Sequence, residues 1–168
     1  MNLENLKQTL MLRAFGLTKV PLINFVRPSV VRLNDDESVV KIPLGYRTRN
    51  HLKSMYFGTL AVGADCAGGL LAFHLIRKAK ADISIVFKGF RADFHKRPTA
   101  DVHFTCKDGG RIWKQIRETL KSGKRTNEPL QIVATTPKVS GNEPVATFEL
   151  VLSMKLKSQS SSPLDSAR

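Results

Sequence analysis

Negative charge and cysteine are the two scarce features of this 168-residue chain. Only 14 residues are acidic against 27 that are basic, which gives a formal net charge of +13. Such an excess bears on partners rather than on the fold, and it suits nucleic acid, an anionic membrane surface or a polyanionic small ligand. The two cysteines, Cys66 and Cys106, lie in core-like stretches and do not stand at metal-ligand spacing. We therefore expect no metal site, and two reduced, buried thiols in a cytoplasmic protein.

The first residues lack the uninterrupted apolar run of a secretion signal, because Glu4, Lys7 and Arg13 interrupt it. The apolar residues recur instead at helical spacing, at Leu3, Leu6, Leu10 and Phe15. This pattern predicts a short amphipathic helix whose apolar side packs on the body of the protein. Binding of that helix to a membrane surface is the alternative.

A long central stretch has almost no charge. Between Lys53 and Arg77 the one charged residue is Asp65. The stretch nearly reaches the roughly 20 apolar residues of a membrane span, but Asp65 and His74 interrupt it and amphipathic strands flank it. We expect a buried core helix instead of a membrane span. A buried, unpaired carboxylate is costly unless it is used, so Asp65 is the first candidate functional residue.

Alternation of apolar and polar residues predicts six strands around that helix. A hairpin precedes it, a strand with a bulge at Lys88–Gly89 follows it, and a short helix over 109–120 separates strands four and five. We expect an α+β fold in which a mostly antiparallel sheet curls around one long apolar helix. The predicted organisation is an N-terminal helical segment (1–27), one domain (28–157) and a disordered tail (158–168).

The segment 50–65, NHLKSMYFGTLAVGAD, resembles the helix entry of hotdog-fold acyl-CoA thioesterases of the phenylacetate-pathway type and of a related branch of that superfamily. Those proteins carry an Asn six residues before a His-Gly-Gly step and an acidic residue nine after its His. Here Asn50 stands six residues before Tyr56, and Asp65 nine after it. Gly58 corresponds to the second glycine, whereas Tyr56 and Phe57 replace the histidine and the first glycine. In addition, Pro98 resembles the proline that closes the strand after the helix.

The resemblance implies a hotdog fold and hydrolysis of an acyl-CoA or acyl-carrier thioester without a further cofactor. It implies Asp65 as general base or nucleophile, the Gly58 backbone N–H as oxyanion donor, and Asn50 as the residue that orients water or thioester. Asp65 lies roughly 10 Å along the helix axis from Gly58, too far for one carbonyl to touch both. The resemblance accordingly implies a site shared across a homodimer, alone or as a dimer of dimers.

The remaining candidate residues are expected around Asp65, Gly58 and Asn50. His51, Tyr56, Phe57 and Thr59 are expected to contact substrate, and Lys96 and Arg97 to hold the phosphates of coenzyme A. Structural alternatives stay open: Asp65 as a carboxylate satisfied by backbone N–H groups, Asn50 as a turn or cap residue, and His51 as a surface histidine.

Three other functions remain as alternatives. One is a non-catalytic protein that binds an acyl ligand in the hotdog pocket, which the changed residues at 56 and 57 favour. Another is a dehydratase on the same fold. Nucleic-acid binding rests only on the net charge, because the basic residues are dispersed and no helix-turn-helix or zinc motif occurs.

Overall fold

A computed structural model describes residues 3–157, so the predicted disordered tail lies outside the described residues. The elements within this range are α1 (Leu3–Thr18), α2 (Pro21–Phe25), β1 (Ser29–Leu33), β2 (Ser38–Ile42), α3 (Phe57–Lys78), β3 (Ile83–Phe94), β4 (Val102–Cys106), α4 (Gly109–Ser122), β5 (Thr126–Thr135) and β6 (Pro144–Leu156). The predicted strands, the central helix and the short helix α4 are all present. The five-residue helix α2 was not predicted, and the division into domains stays a prediction.

The six strands form one antiparallel sheet in the order β1-β2-β4-β5-β6-β3. The predicted bulge in β3 is confirmed, because the register with β6 shifts between Phe87 and Gly89. β1 and β3 are thus the two edge strands of the sheet. α1 covers the β1 edge, whereas β3 pairs with β6 alone.

Helix α3 packs its small and apolar residues against β2, β4 and β5. A Cβ placed on Gly63 would lie 2.3 Å from Cε2 of the fully buried Phe104, so glycine permits this close approach. The Ser38 hydroxyl donates a 2.6 Å hydrogen bond to the Ala67 carbonyl. By length and composition α3 could cross a membrane, but 67% of its most apolar 18-residue stretch is buried inside the protein. The expectation of a core helix is therefore confirmed.

Two side chains near the C-terminal end of α3 interact with a carboxylate of the β1–β2 turn. The Lys78 ammonium and the His74 ring both contact the Asp35 carboxylate of that turn. The hydrogen bond from Lys78, followed by the one from His74, lowers the pKa of Asp35 below its ordinary value. Cations at this end also complement the partial negative charge of the last helical carbonyls.

Helix α1 packs with the opposite face from the predicted one. Its buried residues are Thr9, Leu12 and Gly16, whereas Leu3, Leu6, Leu10 and Phe15 are exposed. The physical reason is that the β1 edge presents unpaired backbone groups, which need polar partners. The Thr9 hydroxyl accepts from the Val30 N–H at 2.9 Å, and the Asn5 amide donates to the Val31 carbonyl at 2.6 Å.

Candidate active site

The N-terminal end of α3 has open hydrogen-bond donors. Tyr56 is the N-cap residue and makes no side-chain capping bond, and the first intrahelical bond runs from the Leu60 N–H to the Tyr56 carbonyl. Within residues 3–157 the N–H groups of Phe57, Gly58 and Thr59 have no acceptor. Three free donors and the positive end of a 22-residue helix favour an anionic or polarised oxygen at this point.

Two aromatic rings flank those donors. Tyr56 and Phe57 are 46% and 60% exposed, and their ring centroids lie 4.7 Å apart. A Cβ on Gly58 would lie 2.6 Å from Tyr56 Cε1, so the tyrosine ring rests directly against the glycine. Thr59 is buried. An oxygen that approaches the Gly58 N–H must therefore pass beside the Tyr56 ring.

Asn50 organises the loop that leads into the helix. Its Oδ1 accepts from the Leu52 N–H at 2.9 Å and from the N–H and hydroxyl of Ser54, each at 3.2 Å. This arrangement is the turn-forming role that remained open for Asn50. Its Nδ2 has no partner within the described residues and stays available as a donor. His51, the next residue, is exposed at the surface of the same loop.

Asp65 is a half-buried carboxylate without a hydrogen bond or ion pair among residues 3–157. Burial raises its pKa above the ordinary value of 3.8 because the charged form loses solvation. Among residues 3–157 no backbone N–H group donates to it, whereas such donors would be expected around a purely structural carboxylate. The structure thus contains the costly group that the sequence pattern indicated, and leaves it unpaired.

Asp65 lies on a side of α3 that the chain leaves partly open. Phe57, Ala61, Asp65, Gly69 and Phe73 recur every four residues, and this row, which winds by about 40° per step around the helix, is called here the open ridge. Both end residues are exposed, Phe57 by 60% and Phe73 by 44%. Gly58 lies only about 20° from Asp65 around the helix axis, so the glycine of the free-donor turn and the carboxylate are on the same side of one helix.

The edge strand β3 lies close to the open ridge. A Cβ on Gly69 would be 3.8 Å from Phe87 Cε2, which places the middle of β3 next to the helix. Phe90 and Phe94 both contact the buried Phe148 ring. They alternate with polar residues along β3, as core-facing residues do, and yet they are 51% and 52% exposed. Part of the apolar surface of β3 is consequently not covered by the described residues.

The loop after β3 reaches the helix entry. The Met55 N–H donates to the Pro98 carbonyl at 2.9 Å, which places Lys96 and Arg97 within a few residues of that contact. Lys96 forms an ion pair with Glu143, so part of its charge is already compensated. Arg97 is exposed and forms no ion pair within the described part of the chain. Of the two phosphate-binding candidates, Arg97 is thus the more available.

Neither cysteine is part of this site. Both are buried and unbridged, and burial raises the pKa of the Cys66 thiol and raises that of Cys106 to about 12. No group of three or more His, Cys, Asp or Glu side chains with metal-binding geometry occurs in residues 3–157. Thiol nucleophilic chemistry has no candidate here, because the thiolate is the reactive form.

Two surface cavities lie away from the helix entry. One, of about 280 Å³, is lined by residues of β1, β2 and β4 that include Lys41 and His103, and the other, of about 210 Å³, lies on the outer side of β3 and β6. Neither is lined by Asp65, Asn50 or Gly58. These cavities thus supply no acyl pocket next to the candidate site.

Solved structures share this architecture. A protein of unknown function from Pseudomonas aeruginosa, described as a probable thioesterase, has a TM-score of 0.73 at 20% identity, with 88% of this chain and 95% of that chain covered. A thioesterase from Haemophilus influenzae has a TM-score of 0.67 at 16% identity, with 95% of each chain covered. A protein of unknown function from Chlorobaculum tepidum reaches 0.79 at 12% identity, with 91% and 97% covered.

The sheet, the wrapped helix and these similarities define a protein of the hotdog-fold class, as predicted. No curated protein matches the chain. The family model for DUF4442, a domain of unknown function, matches residues 8–150. The chain belongs to the DUF4442 family.

Proposed function

We propose that the protein hydrolyses acyl thioesters in which the thiol is coenzyme A or an acyl carrier. The observation that carries the proposal is the half-buried, unpaired Asp65, whose raised pKa makes it a stronger base than an exposed carboxylate. Gly58, whose N–H is one of three free backbone donors, lies only about 20° from Asp65 around the axis of α3. Similarity in fold to a protein described as a thioesterase supports the reaction class.

The chemistry needs only groups of this chain, the thioester and water. The carbonyl oxygen accepts from the Gly58 N–H, which stabilises the negative charge that develops on it. In one route Asp65 removes a proton from the attacking water, and the thiolate leaves when the tetrahedral intermediate collapses. In the other the Asp65 carboxylate attacks the carbonyl carbon, the thiolate leaves, and water hydrolyses the resulting anhydride.

A homodimer is part of this proposal. Gly58 and Asp65 of one subunit are separated by roughly 10 Å along the helix axis, so a second subunit must bring its Asp65 to the first subunit's Gly58. The 12-residue edge strand β3, with its half-exposed Phe90 and Phe94, supports an interface at this edge of the sheet. A species that stays strictly monomeric at micromolar concentration would contradict the shared site. Association of two such dimers is compatible with the same mechanism.

The other candidate residues surround the reacting carbonyl. The free Nδ2 of Asn50 orients the water or the thioester, and His51, Tyr56, Phe57 and Thr59 border the acyl and thiol groups. Arg97, with Lys96, binds the phosphates of coenzyme A. The two buried, unbridged thiols support a reducing, cytoplasmic location.

The decisive experiment compares thiol release from acyl-CoA substrates of several chain lengths by the native protein and by Asp65→Asn. Loss of the carboxylate is expected to lower kcat by about 10² to 10⁴-fold, since that is the usual contribution of general acid–base catalysis. Asp82→Asn is the matched control, because Asp82 is exposed and forms an ion pair with Lys157, which is distant from it in sequence. Equal rates for the native protein and Asp65→Asn would refute the catalytic role.

A complementation experiment tests the shared site. Asp65→Asn and Gly58→Val are each inactive in this proposal, but a mixed dimer contains one site with an intact Asp65 and an intact Gly58. Mixing the two variants should therefore restore part of the activity. If each site is formed within one subunit, the mixture stays inactive.

Binding of an acyl ligand without turnover is the second candidate function. It is favoured by the Tyr56 ring, which rests against Gly58 and partly occupies the approach to the donor. In that case neither protein hydrolyses thioesters, and native mass spectrometry detects an acyl ligand bound equally by the native chain and Asp65→Asn.

A further inference from the structure

Helix α1 exposes a row of leucines. Leu3, Leu6, Leu10 and Leu17 are 70%, 38%, 58% and 67% exposed. At 100° per residue they fall within an arc of about 60°, and we call them the leucine stripe. Because Asn5 and Thr9 bind the β1 edge, the helix turns polar groups inward and apolar groups outward. A surface helix of a soluble protein normally has the reverse arrangement.

Helix α2, which packs against α1, also exposes apolar residues. Leu22 and Phe25 of α2 are 56% and 49% exposed. The Arg47 guanidinium lies 5.4 Å above the Phe25 ring, which joins α2 to the loop before α3. In that loop Tyr46 is 87% exposed, and the Arg49 guanidinium lies 5.8 Å from its ring. Exposed apolar and aromatic residues thus occur on α1, on α2 and in the segment that leads into the candidate active site.

Carboxylates are scarce in this part of the chain, where Glu4 is the one acidic residue of α1 and α2. Residues 5–34 and 38–64 contain no Asp or Glu, but they contain Lys7, Arg13, Lys19, Arg27, Arg32, Lys41, Arg47, Arg49 and Lys53. Among these cations only Arg32 and Lys41 form ion pairs within the described residues. A second copy docked face to face on this surface would bring cations against cations. The complementary partner is instead both apolar and negatively charged.

We propose that the leucine stripe, α2 and the loop of Arg47 and Arg49 dock on an anionic lipid bilayer. The leucines and Phe25 enter the boundary between headgroups and acyl chains, while the lysines and arginines bind lipid phosphates. Tyr46 and Phe25, each beside a guanidinium, suit the interfacial region, where aromatic rings and cations are both favoured. The association is peripheral, since within residues 3–157 the one helix long and apolar enough to span a bilayer is the core helix α3.

Docking in this way brings the entry of α3 close to the lipid surface. Amphiphilic substrates with long acyl chains concentrate there, so the site would draw on membrane-associated molecules. The docking itself does not depend on the proposed hydrolysis, and vesicle binding is measured without any substrate.

The test is co-flotation of the full chain with vesicles of phosphatidylcholine alone or mixed with phosphatidylserine. The native protein should float with the phosphatidylserine vesicles, weakly with phosphatidylcholine alone, and less as salt is added. The double variant Leu6→Glu/Leu10→Glu should bind at least about tenfold more weakly, because two apolar contacts become repelled charges. Lys7→Ala/Lys19→Ala should weaken binding mainly to the anionic vesicles.

Val139→Glu is the matched control, because Val139 is 64% exposed but lies in the β5–β6 turn. It should bind vesicles like the native protein, and circular dichroism should show that all variants fold. No flotation of the native protein with anionic vesicles would overturn the proposal. Equal flotation of Leu6→Glu/Leu10→Glu would also overturn it. Suppose that the native chain binds no vesicles and that sedimentation shows self-association of the native chain but not of Leu6→Glu/Leu10→Glu. The leucine stripe would then be assigned to contact with a second copy of this chain.

Discussion

Helix α3 has two long sides built from similar small and apolar residues, but the part of the chain that the structure describes closes only one of them. The sheet side packs Gly63 against Phe104 and Ala67 against β2, and its residues are almost fully buried. The open ridge carries Asp65 and Gly69 between two exposed phenylalanines. A comparison of the two sides separates the part of the helix that stabilises the fold from the part that is available for a substrate and a second subunit.

The largest expected stability effect comes from filling the closed side. Gly63→Ala places a methyl group within the volume of the buried Phe104 ring, so the free energy of unfolding should fall by about 1 to 3 kcal/mol. Urea denaturation measures this change. Gly110→Ala is the matched control, because nothing lies within 4 Å of a Cβ on this helical glycine. An unchanged stability for Gly63→Ala would show that the closed side is less tightly packed than described.

The corresponding change on the open ridge should have the opposite sign. A Cβ on Gly69 meets only Phe87, at an ordinary contact distance of 3.8 Å. Gly69→Ala should therefore raise the free energy of unfolding by about 0.5 to 1 kcal/mol, because glycine is a poor helix former. The measurement is again urea denaturation. A loss of stability that grows with protein concentration would instead reveal a second subunit packed against Gly69.

The smallest expected change concerns the pH dependence of stability. Because the folded-state pKa of Asp65 is raised, the folded protein binds more protons than the unfolded chain between pH 3.8 and the raised pKa. The free energy of unfolding therefore falls as the pH rises through that interval. At neutral pH the ionised, half-buried Asp65 still destabilises the folded protein. Asp65→Asn should be more stable than the native protein at pH 7.

The measurement is thermal unfolding of both proteins from neutral to acidic pH. The advantage of Asp65→Asn should disappear as the pH falls below 3.8, where the carboxyl is protonated in the folded and unfolded states alike. The effect is moderate because Asp65 is only half-buried and solvent screens part of its charge. A native protein more stable than Asp65→Asn at pH 7 would mean that Asp65 has a stabilising partner, for example across a subunit interface.

Sequence patterns predicted the strands, α3, α4 and the bulge in β3, because alternation and helical spacing depend on which side of an element is buried. They also singled out Asp65, since one charge in an apolar stretch is visible without coordinates. The patterns were wrong about the packing side of α1. Apolar spacing marks the leucines as inward, whereas the hydrogen-bonding demand of the β1 edge turns Asn5 and Thr9 inward.

The sequence by itself determined the element order and the scarcity of negative charge, because both are written in residue type and spacing. It determined as well that α3 must carry a carboxylate in apolar surroundings. Only the tertiary structure decided which groups stay unsatisfied: Asp35 meets Lys78 and His74, while Asp65 meets no partner among the described residues. The physical reason is that pairing depends on elements distant in sequence, and these meet only when the sheet has closed around the helix.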